Sequence, residues 1–154
     1  VRRQQLSSDH EFMNQQTLPK LFSLTQIGIA TFLGSALAAG YMLAANYSAL
    51  GQRKLGRYVM AGSVALVALF MLIPGNTLTS PGLAVFVMVG QVMLVLIIAN
   101  QLQGKMLSSF KEMGGTYHPV SRTILIGVAA SFVLTAAYIL LIGLFGGPLP
   151  PPAS

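Results

Sequence analysis

The side chains able to do chemistry in this sequence fall into two small groups. The first lies within long apolar runs: Gln91 and Tyr138 near the middles of their runs, with Ser131 and Thr135 one helical turn apart. Amides and hydroxyls at such positions either line a path for a neutral solute or hydrogen-bond across helices and fix packing, at roughly 0.6 kcal/mol each and up to ~2. The second group lies between runs. Gly114-Gly115-Thr116-Tyr117-His118-Pro119 combines backbone freedom, an aromatic ring and a titratable imidazole, flanked by Lys111 and Arg122. Together with Arg53, Lys54 and Arg57 of an earlier connection, Tyr117, His118 and Arg122 are candidate contacts for a protein partner or for anionic lipid.

What is missing narrows the chemistry further. The four long apolar runs hold no Asp, Glu, Lys, Arg or His, so an ion or proton relay through them has no ionisable group to use. Cysteine is absent, which removes disulfides, thiolate metal ligands and thiol redox chemistry. Neither the metalloprotease H-E-x-x-H spacing nor a phosphate-binding loop ending in Lys-Ser/Thr occurs, and His10-Glu11 is a bare dipeptide. Only Asp9, Glu11 and Glu112 are acids, and all three lie outside the apolar runs. The expectation is a non-enzymatic protein with no cofactor and no metal.

The elements that position these side chains follow from composition. Of 154 residues, 54% are hydrophobic and 8% charged, where a soluble domain carries about 25% charged residues. A chain so poor in charge cannot build a wetted surface, so an integral membrane protein is expected. Its net charge of +6 is then explained by membrane loops and lipid headgroups, and nucleic acid is not an expected partner.

The run from Leu24 to Asn46 has no charge over about 23 residues, which as a helix covers ~34 Å, enough to cross a hydrocarbon core ~30 Å thick. Ser23 and Gln26 have capping-box spacing at its start. Within it Ala30, Gly34 and Ala38 form one small-residue row and Ala36, Gly40 and Ala44 another, the pattern that lets helices approach closely. A cleavage site at Ala36-Leu37-Ala38 is disfavoured because the apolar run continues past it. Further spans are expected over Tyr58–Ile73, closed by Pro74-Gly75-Asn76; over Gly82–Asn100, opened by Ser80 and Pro81; and over Thr123–Phe145. Met106, Phe110 and Met113 share one helical face, suggesting an interfacial extension of the third span. Tyr41, Tyr47 and Tyr58 suggest an aromatic belt.

The expected fold is therefore all-α, an integral membrane four-helix bundle over residues 23–146. It is preceded by a polar segment, 1–22, with a short helix up to about Thr17, and followed by a Pro-rich tail, 147–154. Met13 is an alternative start of translation. Ala45-Asn46 and Ala99-Asn100 each precede a basic stretch, a faint parallel repeat that chance explains in a chain so rich in Gly and Ala. Four straight crossings put both termini on one side. Arg53, Lys54, Arg57, Lys105, Lys111 and Arg122 lie in the first and third connections, against Lys20, Arg2 and Arg3 on the other side. The positive-inside rule then places the basic loops in the cytoplasm and both termini outside.

The stretch Phe22 to Arg57, above all TQIGIATFLGSALAAGYMLAANYSALGQRK, resembles small four-span bacterial inner-membrane proteins of unassigned function. The resemblance covers about a quarter of the chain and implies a bacterial inner membrane, but no activity. Two functions are expected in order. The first is an accessory or scaffolding protein, packing against itself or a larger membrane complex. The second is a small channel or carrier for a neutral or lipid-like solute passing Gln91, Ser131, Thr135 and Tyr138.

Overall fold

A computed structural model describes residues 18–72 and 80–145. The expected short N-terminal helix, Met13, the Pro74-Gly75-Asn76 turn and the Pro-rich tail lie outside the described residues. The described chain is all-α, with four helices: α1 (Leu24–Ala49), α2 (Arg53–Met71), α3 (Pro81–Glu112) and α4 (Val120–Phe145). Each is long and apolar enough to cross a membrane by length and composition. Ser23 caps α1 as expected: its hydroxyl accepts from the Gln26 N–H at 3.3 Å, and its own N–H donates to Gln26 Oε1 at 2.9 Å. Ser80 precedes α3 with Pro81 in the first turn, but its side chain makes no capping bond.

The first helix departs from the straight span that its length suggests. Gly34 (φ −130°, ψ 18°) and Ser35 (φ 63°, ψ −170°) break its helical backbone. The two halves, α1a (24–33) and α1b (36–49), fold back on one another. A continuous helix would separate Phe22 from Asn46 by more than 30 Å. Instead the Phe22 N–H donates to Asn46 Oδ1 at 2.7 Å, and Asn46 Nδ2 donates to the Phe22 carbonyl at 2.9 Å. Leu24 and Leu50 join the same apolar cluster with Leu21, Leu107 and Phe110. The expectation of a through-going first span is thus corrected to a re-entrant hairpin, with both feet at one end of the bundle, the neck, and its tip in the interior.

Small residues make the hairpin possible. Ala30, Ala36, Ala38 and Ala39 are buried, with Gly34 and Gly40, so both expected small-residue rows do serve as packing faces. Gly34 lies against Gly127 of α4, and a Cβ there would stand 2.9 Å from the Gly127 Cα. Gly40 lies against Ser63 of α2 in the same way. The hairpin packs on α2, α3 and α4, while those three scarcely touch one another. It is the hub, 56% buried over its most apolar stretch against 6–11% for the others. Leu, Val and Phe on the outer faces of α2, α3 and α4 remain exposed, as lipid-facing helices require.

Because α1 folds back, the sides occupied by the chain change. Leu21 pairs with Tyr117, its N–H donating to the Thr116 carbonyl at 3.3 Å and its carbonyl accepting from the His118 N–H at 2.9 Å. Lys20 therefore stands at the same end as Arg53, Lys54, Arg57, Lys105, Lys111 and Arg122. The segment entering α1 and the last turn of α4 lie at opposite ends of the bundle, where four straight crossings would have placed them together. The parallel-repeat idea falls with this, since α1 turns back where α3 runs through.

Two smaller expectations also change. Phe110 is buried and Met106 half-buried against Leu21, Leu24, Leu50 and Tyr117, so the end of α3 packs on the α1 feet; Met113 alone stays exposed. Tyr47 is 4% exposed and donates to the Leu102 carbonyl at 3.1 Å. It leaves the expected belt, whereas Tyr41 and Tyr58 are exposed.

Candidate functional site

The neck is closed by amides. Asn46, buried on α1b, sits between the backbone of Phe22 and the Gln103 side chain, donating to Gln103 Oε1 at 2.9 Å. Gln103 in turn donates to the Leu43 carbonyl at 3.0 Å. Gln26 donates from Nε2 to the His118 carbonyl at 2.6 Å. Backbone N–H and C=O groups that the non-helical Leu21–Ser23 segment would leave bare in a dry interior are thereby paired. Leu21, Phe22 and Ile27 are almost wholly buried around it.

The residues expected to contact partners there are placed unequally. Tyr117 is half-buried and donates to the Leu107 carbonyl at 3.1 Å. His118 stacks on Phe22, ring centroids 4.4 Å apart, with Arg122 Nη1 3.3 Å from its Nδ1 and the guanidinium 5.9 Å from the Phe22 ring centre. Tyr117 and His118 are thus engaged in holding the α1 feet, while Arg53, Lys54, Arg57 and Arg122 are exposed.

Burial holds the His118 pKa below its ordinary value of 6.5, helped by the positive charges of Arg122 and Lys20 and opposed by a backbone hydrogen bond at Lys20. The native state therefore favours the neutral ring. Its stabilisation is present above the unfolded-state pKa and is lost as the pH falls from about 6.5 through the lowered native value. The melting temperature in detergent should accordingly drop between pH 7.5 and pH 5, and His118→Gln should flatten that slope. An unchanged slope in the variant would assign the effect to other groups.

At the other end of the hairpin the break opens a cleft of about 310 Å³. Its roof is the turn itself, residues 31–35, and its walls are Met88, Gln91 and Val92 of α3 with Ser131, Leu134 and Thr135 of α4. Three of the four intramembrane polar residues expected from sequence are therefore brought together. Ser131 donates to the Leu33 carbonyl, freed by the end of α1a. Ser35 Oγ accepts from the Leu37 N–H at 3.4 Å, capping α1b from within the turn. Tyr138 is not part of the cleft and is 50% exposed. It lies about one turn beyond Thr135 on α4.

Ser35 is the one described non-glycine residue with positive φ, in a backbone region that costs about 1–3 kcal/mol outside glycine. That strain sits in the roof of the cleft. Sequence reasoning had not singled out Ser35 or Gln103, and it read Gln26 only as a helix cap and Asn46 only as the end of a run. A Gly-Ser pair at the centre of an apolar run was the available signal, since interrupted membrane helices mark binding points. Among the described residues that line the cleft none is Asp, Glu, Lys, Arg or His. What it presents is one amide, hydroxyls and the backbone of a broken helix, which suit hydrogen bonds to an uncharged polar molecule. The chain matches no family model, no curated protein and no solved structure.

Proposed function

We propose that the protein is a small non-enzymatic channel or carrier component that holds a neutral polar solute at the break of α1, in the membrane interior. The observation supporting this is the cleft: Gln91, Ser131, Thr135 and Ser35 converge under a re-entrant tip whose backbone is not helical. Irregular backbone at membrane depth is tolerated where it is buried or lines a cavity, and its size falls at the lower end of small-molecule sites. The cleft lies at the hairpin tip, away from the neck that Asn46, Gln103 and Leu21 pack, and is entered from the tip side. The wall groups favour an alcohol, polyol or small amide over an ion. By the positive-inside rule the neck faces the cytoplasm, with the last turn of α4 outside; the membrane is a bacterial inner membrane.

Reconstituted vesicles test this. Swelling under inward gradients of glycerol and of urea should exceed that of empty vesicles for at least one solute, and Gln91→Leu should reduce the excess about tenfold, the loss of roughly one buried polar contact. No excess over empty vesicles for any neutral solute sinks the proposal. A second reading, an accessory or scaffolding subunit, is favoured by the far half of the bundle. There residues such as Phe86, Phe132, Ile139, Leu140 and Leu144 are exposed, and among the described residues α2, α3 and α4 make few contacts with one another. A stoichiometric partner retained in mild detergent would support it.

A further inference from the structure

A separate feature lies on the outer face of α2. Lys54 and Arg57, one turn apart, border a surface cleft of about 410 Å³ with Tyr58 and Ala61. Like charges at this spacing repel one another. They also stand at the positive end of the helix dipole, in a helix with no acidic residue in its first turn and no side-chain cap. Among the described residues Glu112 is the single carboxylate, and it follows Lys111 at the C-terminus of α3, on a different helix from Lys54 and Arg57. Around the same end stand Lys20, Arg53, Lys105, Lys111 and Arg122. Among the described residues the cations at this end outnumber the one carboxylate seven to one, so the patch is complementary to an anion. Tyr58 is 75% exposed, placing a phenol beside the cations on a helix that then continues into the apolar zone. Below it Ala61, Val64, Ala65 and Ala68 lie on the same exposed face, and three of the four are small.

We infer that this face binds one anionic phospholipid. The headgroup phosphate lies between Lys54 and Arg57, the Tyr58 hydroxyl donates to the headgroup, and an acyl chain follows the shallow track over Ala61, Ala65 and Ala68. This site is independent of the cleft at the α1 break, and either can fail without the other.

Native mass spectrometry of the full chain in a neutral detergent, titrated with phosphatidylglycerol and separately with phosphatidylcholine, tests it. One phosphatidylglycerol per chain should be retained in preference to phosphatidylcholine. The Lys54→Gln/Arg57→Gln double variant should bind it about 30-fold more weakly, from two surface charges. Lys105→Gln/Lys111→Gln should stay within about twofold of the native chain. Ala61→Phe, which fills the track and leaves the charges, should also weaken the lipid. Equal retention of the two lipids, or an unaffected double variant, overturns the inference. Displacement of the lipid by millimolar inorganic phosphate would assign the cleft to a soluble anion, and capture of an acidic protein on the same two residues would assign it to a protein; either outcome overturns it.

Discussion

Gly34→Val should open the re-entrant hairpin, lowering stability by about 3 kcal/mol or more. The position has no room for a side chain. A Cβ would stand 2.9 Å from the Gly127 Cα and 2.9 Å from the Ala130 Cβ, with the Gly127 carbonyl oxygen closer still. The obstacle is mostly backbone of a packed helix, which cannot rotate away as a flexible side chain does. To admit valine, α1 and α4 must separate, and the tip contacts of Ser131 and Leu33 go with them. Two readouts check this. Thermal unfolding in detergent should shift down sharply. Spin labels on the exposed Thr25 and Ala49 should report a short distance in the native chain, where a continuous helix would hold them ~36 Å apart, and a longer or broader one in the variant. An unchanged distance and melting temperature would show that the break does not depend on Gly34. The companion Ser35→Gly should act in the opposite sense, relieving positive φ for a gain of ~1 kcal/mol less the lost cap on Leu37. If solute flux falls in this more stable variant, the strain at Ser35 serves the cleft.

Asn46→Leu should cost about 2–4 kcal/mol. Cross-helix hydrogen bonds in membranes average only ~0.6 kcal/mol because the separated helices find other partners. Asn46 is a different case. Its amide is 1% exposed, and its loss strands the Phe22 N–H, the Phe22 carbonyl and the Gln103 Oε1 together. Each buried polar group left unpaired costs about 1–3 kcal/mol, so this desolvation outweighs the apolar gain from leucine. Gln103→Leu alone should also destabilise, since it leaves one Asn46 amide N–H unpaired and removes the second hydrogen bond to the Leu43 carbonyl. The double variant should lose less than the sum of the two, by ~1–2 kcal/mol, because a broken pair is removed whole. Full additivity would mean that the two amides do not act as one clasp.

Much of the architecture was legible without coordinates because the membrane leaves few choices. Long uncharged runs can satisfy their backbone only as helices, and the Ser23 box and Pro81 mark two starts. The polar trio Gln91, Ser131 and Thr135 could be singled out because such groups are rare in apolar runs. Their meeting could not, since it depends on where a third element ends. The fold-back was hidden for the same reason that the first run looked convincing. Its length satisfies a crossing, and hydropathy counts residues without asking what faces them. The residues that distinguish it are modest: Gly34-Ser35 at its centre, Ala and Gly where a lipid-facing helix would carry Leu and Val, and Gln26 and Asn46 at similar distances from the break. The last pair makes sense only once both amides are seen at one end.

From its residues alone this chain was bound to be helical and apolar, with long runs free of Asp, Glu, Lys, Arg and His. Those properties follow from local chemistry: what a backbone needs in lipid, and what a charge costs there. Which runs cross and which one turns back was settled only by packing, where Gly34 meets Gly127 and Asn46 meets Phe22 and Gln103. Contacts between distant residues decided that the described cations gather at one end and that a strained serine roofs a polar cleft, because a turn buried among helices draws its hydrogen bonds from other parts of the chain.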